Sequence, residues 1–363
     1  MDNSEKRYRI AGHDICVRME APWAFRPLSE GQKELVERLR RGEDVGVESV
    51  PAGREEQLEV NDAIMEKDVM TREKWENLDS ESREEFRNNL DMLQYAPFEV
   101  AGCSDSPLFT LSMHRRGASP KLPPREGWEL QTAVDDLPPF YYGYTCEGKT
   151  IYEFYTRKDC LAGTFVLNSD YSEGDYYPAE RAGVKTTLMQ LNTSLMIQYT
   201  FATAPLQTLL LHASVTRYRG KANLFFGVSG TGKSTHSLLW HQYVPESDLM
   251  NDDNPVIRFS DGEATVYGTP WSGKTICYRN TQAPVRALVR LEQEPQNHIE
   301  RLQGIQAYAS VIAAVSTIRW NPAVMDMLIP SIEKAATLIP CFRLGCRADR
   351  EAVEVCREAL ESL

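Results

Sequence analysis

One segment, Gly227-Val-Ser-Gly-Thr-Gly232-Lys233-Ser234-Thr235, constrains the fold of this chain more than any other, because its spacing is GxxxxGK[ST]. Glycines at those positions let the backbone wrap a polyphosphate with its N–H groups inward, and the N-terminus of a following helix adds partial positive charge. The mechanics require a strand before the loop and a helix after it. Asn223-Leu-Phe-Phe226 reads as that strand, and Leu238, Leu239 and Trp240 follow on a helix that starts at Thr235. An α/β fold is therefore expected. Gly227, Ser229, Gly230, Thr231, Gly232 and Thr235 are assigned to the phosphates, Lys233 to the β- and γ-phosphates, and the Ser234 hydroxyl to Mg²⁺.

Downstream, Asp248-Leu-Met-Asn-Asp252-Asp253-Asn-Pro255 sets two carboxylates after a short apolar step. Phosphoryl transfer needs a carboxylate near its metal, and a hydroxyl acceptor needs another group to take its proton. Adjacent residues on an extended segment point to opposite faces, so at most one of the pair aims at the nucleotide unless the chain turns there. Upstream, Leu209-Leu-Leu-His212-Ala-Ser-Val215 reads as a strand, Arg217-Tyr-Arg-Gly220 as a turn and Ala222 to Phe226 as the return strand. A hairpin centred between Tyr218 and Arg219 sets His212 opposite Phe225, about two residues or roughly 7 Å from the loop. There an imidazole can exchange a proton or ligate a metal, whereas elsewhere in an apolar strand it is a core residue. Ser234 and Asp253 are the expected metal ligands; Lys233, His212 and Asp252 complete the catalytic set.

With Leu211-His-Ala-Ser214, Phe225 to Thr235 and Asn251-Asp-Asp253 in this order, the chain resembles the HPr kinase/phosphorylase family. It is similar also to the ATP-dependent phosphoenolpyruvate carboxykinases, whose related nucleotide core carries a histidine, then SGTGK[ST]T, then an aspartate pair. The resemblance covers about residues 185 to 290. It implies a P-loop core on a mixed, strongly twisted sheet, with ATP and Mg²⁺ or Mn²⁺ at Lys233 and Ser234. It implies metal or acid/base duty for Asp252 and Asp253, and a His212 that faces the metal and the transferred phosphoryl group. The Glu-x-Arg-Gly stretch that HPr kinases carry after the aspartate pair is absent, and Tyr267-Gly-Thr-Pro-Trp-Ser-Gly-Lys274-Thr stands in its place. The implied acceptor is then a hydroxyl on a protein, a peptide or a metabolite. That replacement loop, with Lys274 as its cation, reads either as a cover for the nucleotide or grip on the acceptor, or as a tight turn anchored by Trp271.

The expected activity is ATP-dependent phosphoryl transfer. Its rivals are a module that holds nucleotide without transfer and a carboxykinase-like lyase. At 363 residues the chain is long enough for two domains, read as an α+β accessory domain over 1–180 and the nucleotide domain over 181–363. Arg7 to Met19 reads as a hairpin, Ser29 caps a helix that stops at Gly42, and 54–91 reads as acid-rich exposed helix with a thin apolar stripe, its alternative being a docking surface for a basic partner. Ile151–Thr156 and Thr164–Leu167 read as strands, and Leu188, Leu191, Leu195 and Tyr199 share one helical stripe. In the tail, Leu338 to Leu344 reads as a strand among helices.

A formal charge of −12 opposes binding to nucleic acid phosphates. The uncharged stretch Thr186 to Thr216 is broken by Gln190, Asn192, Gln198, Pro205 and Gln207, so a buried helix and a strand are expected rather than a membrane span. Met1 to Arg7 lacks the apolar run of a secretory signal, and the eight cysteines contain no CxxC pair. The expectation is a reduced, cytoplasmic protein, with self-association into a homo-oligomer left open.

Overall fold

The computed structural model describes residues 4–43, 88–101, 106–134, 140–157, 159–273, 277–316 and 321–363. The chain divides into two compact units, Met1–Glu30 with Met70–Thr203 and Thr317–Met325, and Gly31–Val69 with Ala204–Ser316 and Asp326–Leu363. Most of the acid-rich 54–91 segment, together with Lys274, lies outside the described residues.

The strands of the first unit are β1 Glu5–Ile10, β2 His13–Met19, β3 Ala24–Phe25, β4 Asn89–Leu90, β5 Phe109–Met113, β6 Glu129–Val134, β7 Phe140–Cys146, β8 Lys149–Arg157, β9 Cys160–Leu167 and β10 Glu173–Pro178. Eight of them form one mixed sheet in the order β1-β2-β5-β10-β9-β8-β7-β6, while β3 and β4 pair separately. The expected first hairpin is there, closed by Ala11 and Gly12 at φ 48° and 77°, the conformation a two-residue turn demands. Helix α1 follows Ser29 over Glu30–Arg40, and α2 covers Val184–Thr203.

The boundary read near residue 180 moves to Thr203, because α2 belongs to the first sheet. Tyr199 Oη donates to the Ile10 carbonyl at 3.2 Å, and Gln198 Nε2 donates to the Thr110 carbonyl at 3.2 Å. Gly174 permits that approach: a Cβ there would lie 2.3 Å from Gln198 Oε1. The units are also interleaved in sequence, a pattern that reading along one chain does not reveal. Among the described residues no helix is long and apolar enough to cross a membrane.

The second unit is mixed α/β. Its strands are β11 Thr208–Leu210, β12 Ala213–Tyr218, β13 Lys221–Phe226, β14 Ser247–Asp253, β15 Val256–Ser260, β16 Glu263–Tyr267, β17 Gln282–Gln293, β18 His298–Leu302 and β19 Cys341–Cys346. Its helices are α1 from Gly31 on, α3 Lys233–Tyr243, α4 Gly304–Ala314, α5 Pro322–Leu338, which begins within the first unit, and α6 Arg350–Glu361. The tail strand therefore starts three residues later than the sequence suggests, since α5 keeps its helical stripe through Leu338.

The order is β11-β15-β16-β17-β13-β12-β14, with β19 on β17 and β18 on β19. The strands β13, β17 and β19 run parallel, and the other pairs of this sheet are antiparallel. Phe225, Trp240, Val289 and Leu344 are buried in one cluster that fixes α3 on the sheet.

A partly buried ion-pair cluster holds the start of β14. Asp248 accepts from Arg217 at 2.6 Å and from Arg279 at 2.7 Å, and Arg279, itself 1% exposed, also donates to the carbonyls of Leu249 and Gly42. Burial raises the Asp248 pKa, but the two guanidiniums outweigh it and hold the carboxyl below its ordinary value. A depressed carboxyl contributes stability above its unfolded pKa of about 3.9, and that contribution is lost as the pH falls through the folded value. Arg279→Met is expected to destabilise the second unit by about 2–3 kcal/mol at pH 7, less at pH 3, since it breaks a largely buried pair. Urea denaturation at the two pH values measures this; equal midpoints for mutant and wild type at pH 7 would remove the pair from the account.

Candidate functional site

Strand direction brings the motifs to one edge. The strand β13 ends at Phe226 directly before the phosphate loop, and Ala213 at the start of β12 pairs with both Phe226 and Asp253. The start of β12 and the ends of β13 and β14 therefore meet at the loop. Gly230 and Gly232 adopt φ of 85° and 98°, left-handed values that a residue with a side chain resists, and Gly232 is the N-cap of α3.

The hairpin register differs from the one read in the sequence. Tyr218 pairs with Lys221 and Ala213 with Phe226, so the turn is centred between Arg219 and Gly220, at φ 50° and 73°. A two-residue turn with positive φ at both positions matches strand twist better than the turn centred on Tyr218 and Arg219. His212 consequently does not face Phe225. The ladder ends at Ala213 and Phe226, so His212 stands just beyond it, at the edge where Gly227 begins the loop. The expected continuous strand over 209–215 also breaks at this histidine, whose backbone N–H donates to the Ala314 carbonyl, the last of α4, at 2.7 Å.

This break turns His212 toward the aspartates. Its Nδ1 lies 2.9 Å from Oδ1 of Asp253, and the other carboxylate oxygen accepts from Asn254 Nδ2 at 2.8 Å. With Nδ1–H donated to the carboxylate, Nε2 is the nitrogen left to accept a proton. Asp252 and Asp253 both line the cavity, because the chain turns where β14 ends: Asn251 Oδ1 accepts the Asp253 N–H at 3.3 Å. Asp252 is 3% exposed, and its cross-strand neighbour Ser214, 1% exposed, lines the cavity with a hydroxyl that has no hydrogen-bond partner among the described residues.

Lys233 Nζ donates to the Gly227 carbonyl at 3.2 Å. Burial lowers its pKa, while the charges of Asp253 and Asp252 work in the opposite direction. Beneath the loop, burial pulls the pKa of His236 down to about 3, so this ring is neutral and packs edge-on against Phe225 at 4.7 Å. The loop 268–273 is tied to the aspartates: Gly273 N–H donates to the Asp252 carbonyl at 2.6 Å, and Trp271, 3% exposed, accepts from Asn254 N–H at 3.2 Å. A Cβ on Gly273 would lie 2.7 Å from the Asp252 carbonyl oxygen. Over 268–273 the loop is anchored by Trp271, while Lys274, on which the nucleotide-cover reading rests, lies outside the described residues.

A cavity of about 860 Å³ joins these groups. It contains His212, residues 229–235 of the loop, Asp252 and Asp253, and extends on the far side to Gln293–Pro295 and Cys346–Ala348. The far wall carries no motif, and its approach depends on the parallel pairing of β13, β17 and β19. The sequence signal for it was limited to the expected tail strand. Arg343 does not reach the phosphate loop; it pairs with Glu292, Glu294 and Glu300 at 2.7, 2.6 and 3.1 Å.

No family model matches the chain, and no curated protein matches it. Among solved structures, the Hpr(Ser) kinase/phosphatase from Coxiella burnetii is similar over 42% of this chain and 97% of that chain, at 11% identity and a TM-score of 0.26. A likeness of that degree carries no inference about chemistry, which rests on the site itself.

Proposed function

We propose that the second unit is an ATP-dependent, Mg²⁺-requiring phosphotransferase acting on a hydroxyl acceptor. The observation that supports this best is the His212–Asp253 pair, 2.9 Å apart, in the same cavity as Lys233 and Ser234. A site that only held nucleotide would have no use for an oriented imidazole there.

Mg²⁺ is commonly bound through one or two carboxylates together with substrate phosphates rather than a full protein cage. Ser234, Asp252 and Asp253 fit that donor set, and Mn²⁺ suits the same oxygen ligands. The bound cation supplies neutralisation of the phosphate charge. Loop amides and Lys233 bind the β- and γ-phosphates. His212, oriented by Asp253, takes the acceptor's proton at Nε2 while the acceptor oxygen bonds to the γ-phosphorus. The bond from that phosphorus to the β–γ bridging oxygen breaks with its electron pair on the oxygen, and ADP leaves. Positioning and electrostatics account for most of such catalysis, so these few groups suffice.

The full chain, given Mg·ATP with L-serine, a serine-containing peptide and glycerol in turn, is expected to release ADP and form a phosphate monoester with at least one of them. EDTA should abolish release, and Mg²⁺ or Mn²⁺ should restore it. Tight Mg·ATP binding without ADP release under any of these conditions would leave a binding module instead.

A further inference from the structure

We infer that the nucleoside half of the nucleotide lies over the ends of β17 and β19, with its ribose hydroxyls donating to the carboxylate of Glu294. This rests on the nucleotide reading above and extends it to a wall that no motif marks.

The three parallel strands β13, β17 and β19 end at the same edge, and neighbouring strands lie about 4.8 Å apart. The phosphates belong to the end of β13, and their γ end points toward the aspartates on the β12 and β14 side. The remainder of the molecule must then extend the other way, over β17 first and β19 second. That ordering sets ribose beside Gln293–Pro295 and the base against Cys346–Ala348, all of which line the same cavity.

The chemistry of the wall agrees with a neutral, hydroxyl-bearing group. Among the described residues, Glu292, Glu294 and Glu300 share Arg343, Glu292 also pairs with Arg290 at 2.9 Å, and His298 Nδ1 lies 3.6 Å from Glu294 Oε2. The excess negative charge disfavours a phosphate, while an ionised carboxylate offers only acceptors, which suits O–H donors. The wall is also tied to the loop and to its neighbour strand. Gln293 Nε2 donates to the Gly230 carbonyl at 3.3 Å, and Glu294 N–H donates to the Cys346 carbonyl at 3.1 Å. Space for the carboxylate comes from Gly345, where a Cβ would lie 2.8 Å from Glu294 Cδ.

Calorimetric titration of the full chain with the Mg²⁺ complexes of ATP, 2′-deoxy-ATP, 3′-deoxy-ATP and inorganic tripolyphosphate tests this. Wild type is expected to bind ATP about tenfold more tightly than at least one deoxy analogue, the loss expected for one hydrogen bond to a charged group. Glu294→Ala should bring ATP and the deoxy analogues within threefold of one another and leave tripolyphosphate affinity unchanged. Glu294→Gln, which keeps an acceptor oxygen, should retain part of the discrimination even if the alanine variant does not fold. Wild-type affinities for ATP and both deoxy analogues within threefold would overturn the Glu294 assignment while leaving the phosphate loop intact. If neither ATP nor tripolyphosphate binds, the nucleotide reading falls and this assignment with it.

Discussion

Lys233→Ala is expected to weaken Mg·ATP binding by at least about a hundredfold and to leave no measurable turnover, with the fold unchanged. Truncating one partner of a hydrogen-bonded charge pair costs about 2–5 kcal/mol, most of it from the charge left behind. Here two charges are left behind: burial lowers the Lys233 pKa against the opposing charges of Asp253 and Asp252, and both carboxylates still line the cavity once the ammonium is gone. The core loses little. Lys233 begins α3 half-buried, and its ammonium donates to the Gly227 carbonyl within the loop rather than to the core. Circular dichroism with a nucleotide titration decides it: a folded mutant with wild-type affinity and turnover would sink the phosphate-loop reading.

What the sequence revealed about this unit followed chain proximity. The strand before the loop, the helix after it and the aspartates were legible because each is written in a short run with its own period or spacing. The His212 position was legible only approximately, because two hairpin registers differing by one turn residue give the same alternation. The choice between them depends on which pair, Tyr218-Arg219 or Arg219-Gly220, accepts positive φ. The second half of the cavity was hidden for another reason. Gln293 and Cys346 are brought beside Phe226 by parallel pairing between segments far apart in the chain, and such pairing leaves no local pattern. The domain boundary was misplaced because α2 is apolar enough to serve either unit; the glycines of the first sheet, Gly163 and Gly174, mark which sheet it approaches.

The pair at 2.9 Å also yields an expected result that separates two roles for one carboxylate. Asp253 was read from the sequence as a metal ligand, whereas the structure joins it to His212. His212→Ala is expected to leave Mg·ATP affinity within about threefold and to cut phosphoryl transfer by about 10²–10⁴, the range for losing a positioned acid/base group. If Asp253 acts through the imidazole, Asp253→Asn should lower transfer by a comparable factor, and the double mutant should be little worse than either single one, because groups that act as a unit are strongly non-additive. If Asp253 instead serves the metal alone, Asp253→Asn should weaken binding of Mg·ATP, and its loss should multiply with that of His212→Ala. Full transfer by His212→Ala would return the histidine to the wall of the cavity as a packing residue, and strictly multiplicative losses would dissolve the pair into two independent groups.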